Sequence, residues 1–518
     1  MHAGAPLAWT LFALYLAGTF WLAWLGHKKT KNFSDFAVGG RSMGPIMAGL
    51  TLGACLASTM TFVLNPGFVY AYGLPALFTL TIPLFLGVFA GLAVLGPGFR
   101  KHGATATTLP LWLGERYGSE GLRAWFAALT LFHVFYVVAI VVGAAVVMEA
   151  TMGVSYPVAV GIVVAVVFSY TFLGGTYAHA YTNTAQGIVM LFTAVVIFAF
   201  AARSIGNPLD ALATLKLEDA NMVGLLHPES PFYRHWFEVL VCPFVIGFAL
   251  VAQPHLLVKT LYLKRARDMA TFGATGLACF IVFSLVLFAG LAARMDLGPG
   301  LAQNAASSIW IAKTLPPALG AVVSVAILAA AMSTLDGLLV AVSAIVGSDL
   351  AAHPDLLQKL GKDGSPEARG KIALQGGRAA VVGIGLVAFV VALGRPAVVA
   401  IFGSVGAYAL LCASLPAVLY GVLAKRPPSA ASVFVASLIG MGVHLALYLG
   451  VTVNTGLTAT VGLLVALPIP AIFNAFRAPA PEADLAAIAG IDQELVDASA
   501  LEPAMPLVSA SGRLLPVE

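Results

Sequence analysis

Charge is scarce in this chain. Of its 518 residues, 10% are Asp, Glu, Lys or Arg and 60% are hydrophobic, and the mean hydropathy is +0.95. A soluble domain carries about 25% charge, so the composition excludes that class and points to a polytopic membrane protein. Cysteine is nearly absent. Cys55, Cys242, Cys279 and Cys412 lie far apart inside apolar stretches with no CxxC spacing, so neither a disulfide framework nor a thiolate metal site is expected. No basic face is built either: the 27 Lys and Arg are scattered among loops and the net charge is +4, which argues against nucleic acid as a partner. A nucleophile with its base, a paired acid and base, and a metal-ligand cluster are all missing, which argues against an enzyme. The first apolar run, Leu7 to Leu25, lacks a basic leader and a cleavage site, so it reads as a retained helix.

Long apolar runs are abundant. Stretches near 7–26, 44–64, 75–97, 122–150, 155–173, 180–202, 236–258, 269–293, 315–346, 376–393, 396–423, 430–451 and 455–475 approach or exceed the roughly 20 residues that span a bilayer. The expected fold is therefore all-α and polytopic, with thirteen transmembrane helices. Thirteen places the termini on opposite sides. With the amino terminus outside, only Arg203, Lys216, Arg234, Arg294, Lys313 and Arg395 of the 27 basic residues remain on the outer side, which fixes the orientation by the positive-inside rule. The compartment expected is a plasma membrane, the bacterial inner membrane, with the carboxy terminus cytoplasmic and lipid as the surrounding partner. The oligomeric state is left open.

The segments expected are an extra amino-terminal helix and inner loop at 1–43, a first five-helix repeat at 44–203 and an outer loop at 204–235. A second repeat follows at 236–423 (inner loop 348–375), then two accessory helices at 424–477 and a cytoplasmic tail at 478–518. The tail opens on Ala-Pro-Ala-Pro followed by seven acidic residues; one short amphipathic helix is expected near 482–499, and the rest reads as disordered.

Two features carry chemistry. Pro and Gly interrupt the second helix (Gly53, Asn65-Pro66-Gly67) and the seventh (Pro243, Gly247, Pro254), each the first member of a five-helix set. Five is odd, so the second set inserts upside down. Paired broken helices in an inverted repeat mark a binding site near the bilayer midplane. The stretch Ala329-Ala330-Ala331-Met332-Ser333-Thr334-Leu335-Asp336 is the second feature. The Ala330 carbonyl and the Ser333 and Thr334 hydroxyls share one helical face, and hard oxygens at membrane depth suit an alkali cation. An aspartate there costs roughly 2.5–3.5 kcal/mol on insertion scales, so it is expected to serve a function.

Four segments in order, "DFAVGGRSMGP" at 35–45, "TFLGGTYAHAYTNTAQG" at 171–187, "QPHLLVKTLYLKRARD" at 253–268 and "AAAMSTLDGLL" at 329–339, resemble the sodium–solute symporter family over roughly 30–430. The resemblance implies a leucine-transporter-like five-plus-five inverted repeat with discontinuous first core helices. It also implies Na+ as the coupling ion, held by the carbonyls of Ala54, Ala57 and Ala330 and the hydroxyls of Ser333 and Thr334. Unwinding near Gly53 is expected to free the first two carbonyls. Where many relatives carry an aspartate, this chain has Asn183, and Asp336 lies one turn beyond the main site. Together they read as a second cation or coupling site, or else Asp336 pairs with Asn183 or a hydroxyl in a structural role.

The solute is expected beside the breaks, between the second, third, fourth, seventh and eleventh helices. Candidate contacts are Ser58, Thr59, Thr61, Asn65, His133, Tyr136, Phe248, Gln253, Ser404 and Tyr408. Leu56 stands where proline-transporting relatives have an aspartate. The lack of a buried anion there, with hydroxyls and freed N–H groups nearby, favours a small carboxylate. The run at 57–74 is similar to the pantothenate and monocarboxylate branches. The function expected is sodium-coupled import of a small organic solute by alternating access. The rivals are a proton-coupled carrier using Asp336 and a transport-like sensor partnered with a separate kinase.

Overall fold

The computed structural model describes residues 5–102, 106–395 and 399–476, with backbone alone at 173, 174, 399, 400 and 402. The expected tail and its helix at 482–499 lie outside the described residues. From Ile472 the chain forms a small unit of its own, described over 472–476. Among the described residues all regular structure is helical, apart from one isolated bridge between Met43 and Leu263.

The apolar helices are α1 (Ala5–Lys29), the broken pair α2 (Pro45–Leu56) and α3 (Met60–Tyr72), α4 (Leu74–His102), α5 (Glu120–Met152), the shorter α6 (Tyr156–Phe172) and α7 (Gly175–Ile205). After these come the broken pair α8 (Phe237–Leu250) and α9 (Pro254–Tyr262), α10 (Ala266–Leu297), α11 (Pro317–Ala351), α12 (Pro366–Leu393), α13 (Gly403–Leu423), α14 (Ala430–Gly450) and α15 (Thr455–Ala475). By length and composition ten helices can cross a membrane among the described residues, or twelve with the two bent pairs. The expected count of thirteen is not confirmed: α6 is apolar but is not counted among these twelve. Gly175, with φ 65°, separates it from α7; a Cβ there would meet the Phe36 ring at 2.5 Å, which suits glycine alone. The connection expected at 348–375 is also shorter, because α11 runs to Ala351 and α12 begins at Pro366.

α11 is the centre of the bundle. Every residue from Val323 to Val340 is buried, so that stretch has no lipid- or water-facing side, and α5 and α7 pack directly on the helix. α4 and α8 approach backbone to backbone: a Cβ on Gly87 or Gly247 would lie 2.1 Å or 2.2 Å from a carbonyl of the facing helix. Small residues permit such close packing where water supplies no hydrophobic drive between helices.

Candidate functional site

The two broken helices are built alike. α2 and α3 meet at 54°, α8 and α9 at 64°. Each contains a wide turn just before a proline: Asn65 N–H bonds the Met60 carbonyl ahead of Pro66, and Cys242 N–H bonds the Phe237 carbonyl ahead of Pro243. Proline removes one ladder donor, and the extra residue absorbs the clash.

The first break lies at Ala57–Thr59, four residues beyond the expected Gly53. Gly53 is helical, and its lack of a side chain serves packing: a Cβ there would stand 2.5 Å from that of Cys279 on α10. Ala57 leaves the helix at φ −95°, ψ 111°. Beyond it the N–H groups that would continue the ladder are diverted. Ser58 N–H turns to Thr61 Oγ1 (3.4 Å), Met60 N–H to Ser58 Oγ (3.1 Å) and Thr61 N–H to the Ser58 carbonyl (3.0 Å). The carbonyls of Ala54, Leu56 and Ala57 thereby leave the ladder; that of Leu56 accepts from Thr61 Oγ1 at 3.2 Å instead.

α11 meets them with hydroxyls. Ser333 Oγ donates toward the Ala54 carbonyl at 3.0 Å and the Ala330 carbonyl at 2.8 Å. Thr334 Oγ1 lies 3.2 Å from the Cys55 carbonyl, 3.3 Å from that of Ala57 and 3.4 Å from that of Ala330. The five oxygens named from the sequence thus form one buried cluster, with the Cys55 carbonyl as a sixth that was not anticipated. Two hydroxyl protons face four carbonyls. Each hydroxyl has a single proton to give, so the cluster is rich in lone pairs and poor in donors, the composition that suits a cation.

Asp336 and Asn183 flank this cluster but are turned to different partners. Asp336 Oδ1 sits 2.5 Å from His179 Nδ1, and its Oδ2 accepts from Thr182 Oγ1 at 3.2 Å. His179 Nε2 is in turn 2.7 Å from Lys259 Nζ. Asn183 Nδ2 donates to the Ser333 carbonyl (3.2 Å) and to Cys55 Sγ (3.4 Å), while its Oδ1 has no hydrogen-bond partner among the described residues. His179 and Lys259 were missed in the sequence. The available signal was spacing: His179, Thr182, Asn183 and Gln186 recur at i, i+3, i+4 and i+7 on α7, a polar stripe in an apolar span.

A separate cavity of about 170 Å³ opens beside both breaks. Thr61, Asn65, Tyr136, Gln253, Ser404 and Tyr408 line it, and so does Leu56. It adjoins a second cavity of about 150 Å³ bounded by Phe68, Phe232, Tyr233, Glu238 and Asn454, with Asn65, Ser404 and Tyr408 common to both. Of the other sequence candidates, Ser58 caps the break, and Thr59 Oγ1 faces Gly143, buried without a hydrogen-bond partner among the described residues. His133 is bonded to the Thr130 carbonyl at 2.9 Å and packs edge-on against His255. Phe248 lies against Gly87 and Gly91 of α4. The cavity also takes Phe280, Phe283 and Ser284 from α10 and His255 from α9, which the reading of the sequence did not include.

Two helices broken at matching places of an inverted repeat, a buried oxygen cluster at one break and a cavity beside both define a solute carrier of the membrane. The chain belongs to the sodium:solute symporter family, whose model matches residues 36–440. It is an integral membrane protein, and its coupling ion is Na+. Among its relatives, the sodium/pantothenate symporter of Escherichia coli is 30% identical over 63% of this chain and 68% of its own length. The sodium/pantothenate symporter of Haemophilus influenzae is 28% identical, over 68% and 74%. The high-affinity proline transporter of Bacillus subtilis is 26% identical, over 72% and 77%. A solved Na+-coupled sialic acid symporter, in a substrate-bound outward-open state, superposes with a TM-score of 0.75 at 19% identity and covers 92% of this chain and 98% of that one. At that identity the likeness carries the fold alone.

Proposed function

We propose that this protein is a sodium-coupled importer of a small organic carboxylate working by alternating access. Na+ sits among the carbonyls of Ala54, Ala57 and Ala330 and the hydroxyls of Ser333 and Thr334. The observation that carries the reading is the donor-poor cluster at the first break: its neutral oxygens can replace part of an ion's hydration shell. The solute occupies the neighbouring cavity, with Thr61, Asn65, Tyr136, Gln253, Ser404 and Tyr408 as its polar contacts. Among the described residues no carboxylate lines that cavity, and the one carboxylate of the outer chamber, Glu238, is held by Arg234 at 2.6 Å. An anionic solute therefore meets no unpaired like charge.

The chamber walled by Phe232, Tyr233 and Asn454 is taken as the outer mouth. In the last turn of α11 the bundle is tied shut: Asp349 accepts from Arg123 Nε (2.7 Å), Thr108 (2.6 Å) and Ser348 (2.9 Å). Both features support an outward-facing arrangement with the amino terminus outside. One sodium crossing 100 mV releases about 2.3 kcal/mol and a tenfold gradient about 1.4 more. An anion moving with a single sodium is electroneutral and uses only the gradient.

Uptake by proteoliposomes tests the function. With an inward sodium gradient, radiolabelled pantothenate and small monocarboxylates should compete better than their amides, proline or neutral sugars. A sugar or proline that competes best overturns the carboxylate assignment. Uptake that survives sodium removal and follows pH would instead establish the proton-coupled rival.

A further inference from the structure

The buried line Lys259–His179–Asp336 is not used by the sodium cluster or the solute cavity. All three residues lie at the core, 1%, 3% and 1% exposed, on α9, α7 and α11 respectively. We propose that the Lys259 ammonium is a built-in cation that occupies, through His179, the place a second sodium would otherwise take beside Asp336, and so limits the carrier to one sodium per cycle. This rests on the sodium site proposed above for the first ion only.

Hydrogen-bond chemistry carries the inference. Lysine has donors and no acceptor, so Lys259 Nζ donates to His179 Nε2 at 2.7 Å. That leaves Nε2 unprotonated, puts the imidazole proton on Nδ1, and aims it at Asp336 Oδ1, 2.5 Å away. Thr182 Oγ1 donates to the other carboxylate oxygen at 3.2 Å. A neutral ring thus satisfies every contact in the chain with one positive and one negative group. If the proton instead resides on the ring and leaves the lysine neutral, the sum is unchanged. Either way the carboxylate has its counter-charge inside the protein, and no formal negative charge is left to hold another ion.

The surroundings are built for this arrangement. The imidazole fits only because residue 337 is glycine: a Cβ there would stand 3.0 Å from His179 Cε1 and 2.6 Å from Cys55 Sγ. Lys259 Nζ lies 5.4 Å from the Tyr262 ring centroid, within range of its π face. Across the line, Asn183 offers an uncharged amide to the Ser333 carbonyl. Asp336 therefore has a resident partner, and an intramembrane carboxylate needs one to stay ionised.

Equilibrium binding of radioactive sodium to purified protein tests this without knowledge of the solute. The wild type should saturate at one sodium per chain. Lys259→Gln uncovers the carboxylate and should raise the count to two, and Lys259→Gln with Asp336→Asn should bring it back to one. Lys259→Arg keeps the charge and should keep one. If Lys259→Gln alone cannot be purified, Asp336→Asn serves: an unpaired ammonium beside the first site should weaken sodium binding tenfold or more, and adding Lys259→Gln should restore it. A wild-type count of two overturns the proposal, since the second ion would then sit between Asp336 and the open Asn183 Oδ1. So does Lys259→Gln that still binds one, or an Asp336→Asn protein whose sodium affinity is unchanged. Ser333→Ala separates the two readings: loss of the first ion in that variant supports the sodium site whatever Lys259→Gln does.

Discussion

The two broken helices share a construction but present opposite chemistry. At the first break, the diversion of the Ser58 and Thr61 N–H groups frees the Ala54 and Ala57 carbonyls, and α11 meets them with only two hydroxyls. At the second, Gln253 takes an extended backbone before Pro254, and its side chain reaches the Ala407 carbonyl at 3.3 Å while lining the solute cavity. Backbone oxygens face one break and side-chain amide, imidazole and phenol groups face the other. Under the proposed function the same geometric device, a bent break in a helix, would serve an ion where backbone is exposed and a solute where side chains are. On that proposal coupling follows from contiguity: Leu56 lines the cavity, and the Ala57 carbonyl next to it belongs to the oxygen cluster.

That contrast can be broken from either side. The largest effect should come from Leu56→Asp, which puts an unpaired carboxylate in the solute cavity. Carboxylate uptake should fall a hundredfold or more, about 2.7 kcal/mol, while sodium binding stays within threefold of wild type; uptake that persists would place the solute elsewhere. Next come Ser333→Ala and Thr334→Ala. Each should raise the sodium concentration for half-maximal uptake tenfold or more, about 1.4 kcal/mol, with the solute KM at saturating sodium little changed. Smaller again are Gln253→Ala and Tyr408→Phe, each expected to raise the solute KM three- to tenfold, as befits loss of one hydrogen bond worth about 1 kcal/mol, and to leave the sodium curve in place. A shift in sodium affinity in these two would blur the division between the breaks. Gly53→Ala should act mainly on stability: crowding Cys279 should lower the melting temperature by the equivalent of about 1–3 kcal/mol, with sodium affinity within threefold. A large loss of sodium affinity at unchanged stability would return Gly53 to the role of hinge.

Much of this was legible in the amino-acid order because its physics is local. Apolar runs of membrane length, proline interruptions and the i, i+3, i+4 placement of Ala330, Ser333 and Thr334 need no tertiary knowledge. The position of the first break was misjudged by four residues because a glycine in a helix signals either unwinding or close approach, and only the neighbour Cys279 decides. The partner of Asp336 was not legible for the same reason. His179 and Lys259 are 157 and 77 residues away in sequence (336 − 179 and 336 − 259), and nothing local says that α7 and α9 deliver them to one carboxylate. The solute cavity was read in part, since a Tyr, Thr or Gln in a membrane helix looks alike whether it faces a cavity or a neighbour. His133 and Thr59 turned to packing positions, whereas Tyr136 and Gln253 line the cavity.

The central claim is that the carbonyls freed at the first break and the two α11 hydroxyls hold the coupling ion. Sodium binding measured at equilibrium on wild type and on the Ser333→Ala, Thr334→Ala double variant tests it most directly. The account predicts a saturable isotherm in the wild type that disappears in the double variant at every concentration where the wild type saturates, with the fold intact by melting temperature. An unchanged isotherm in the double variant would contradict it.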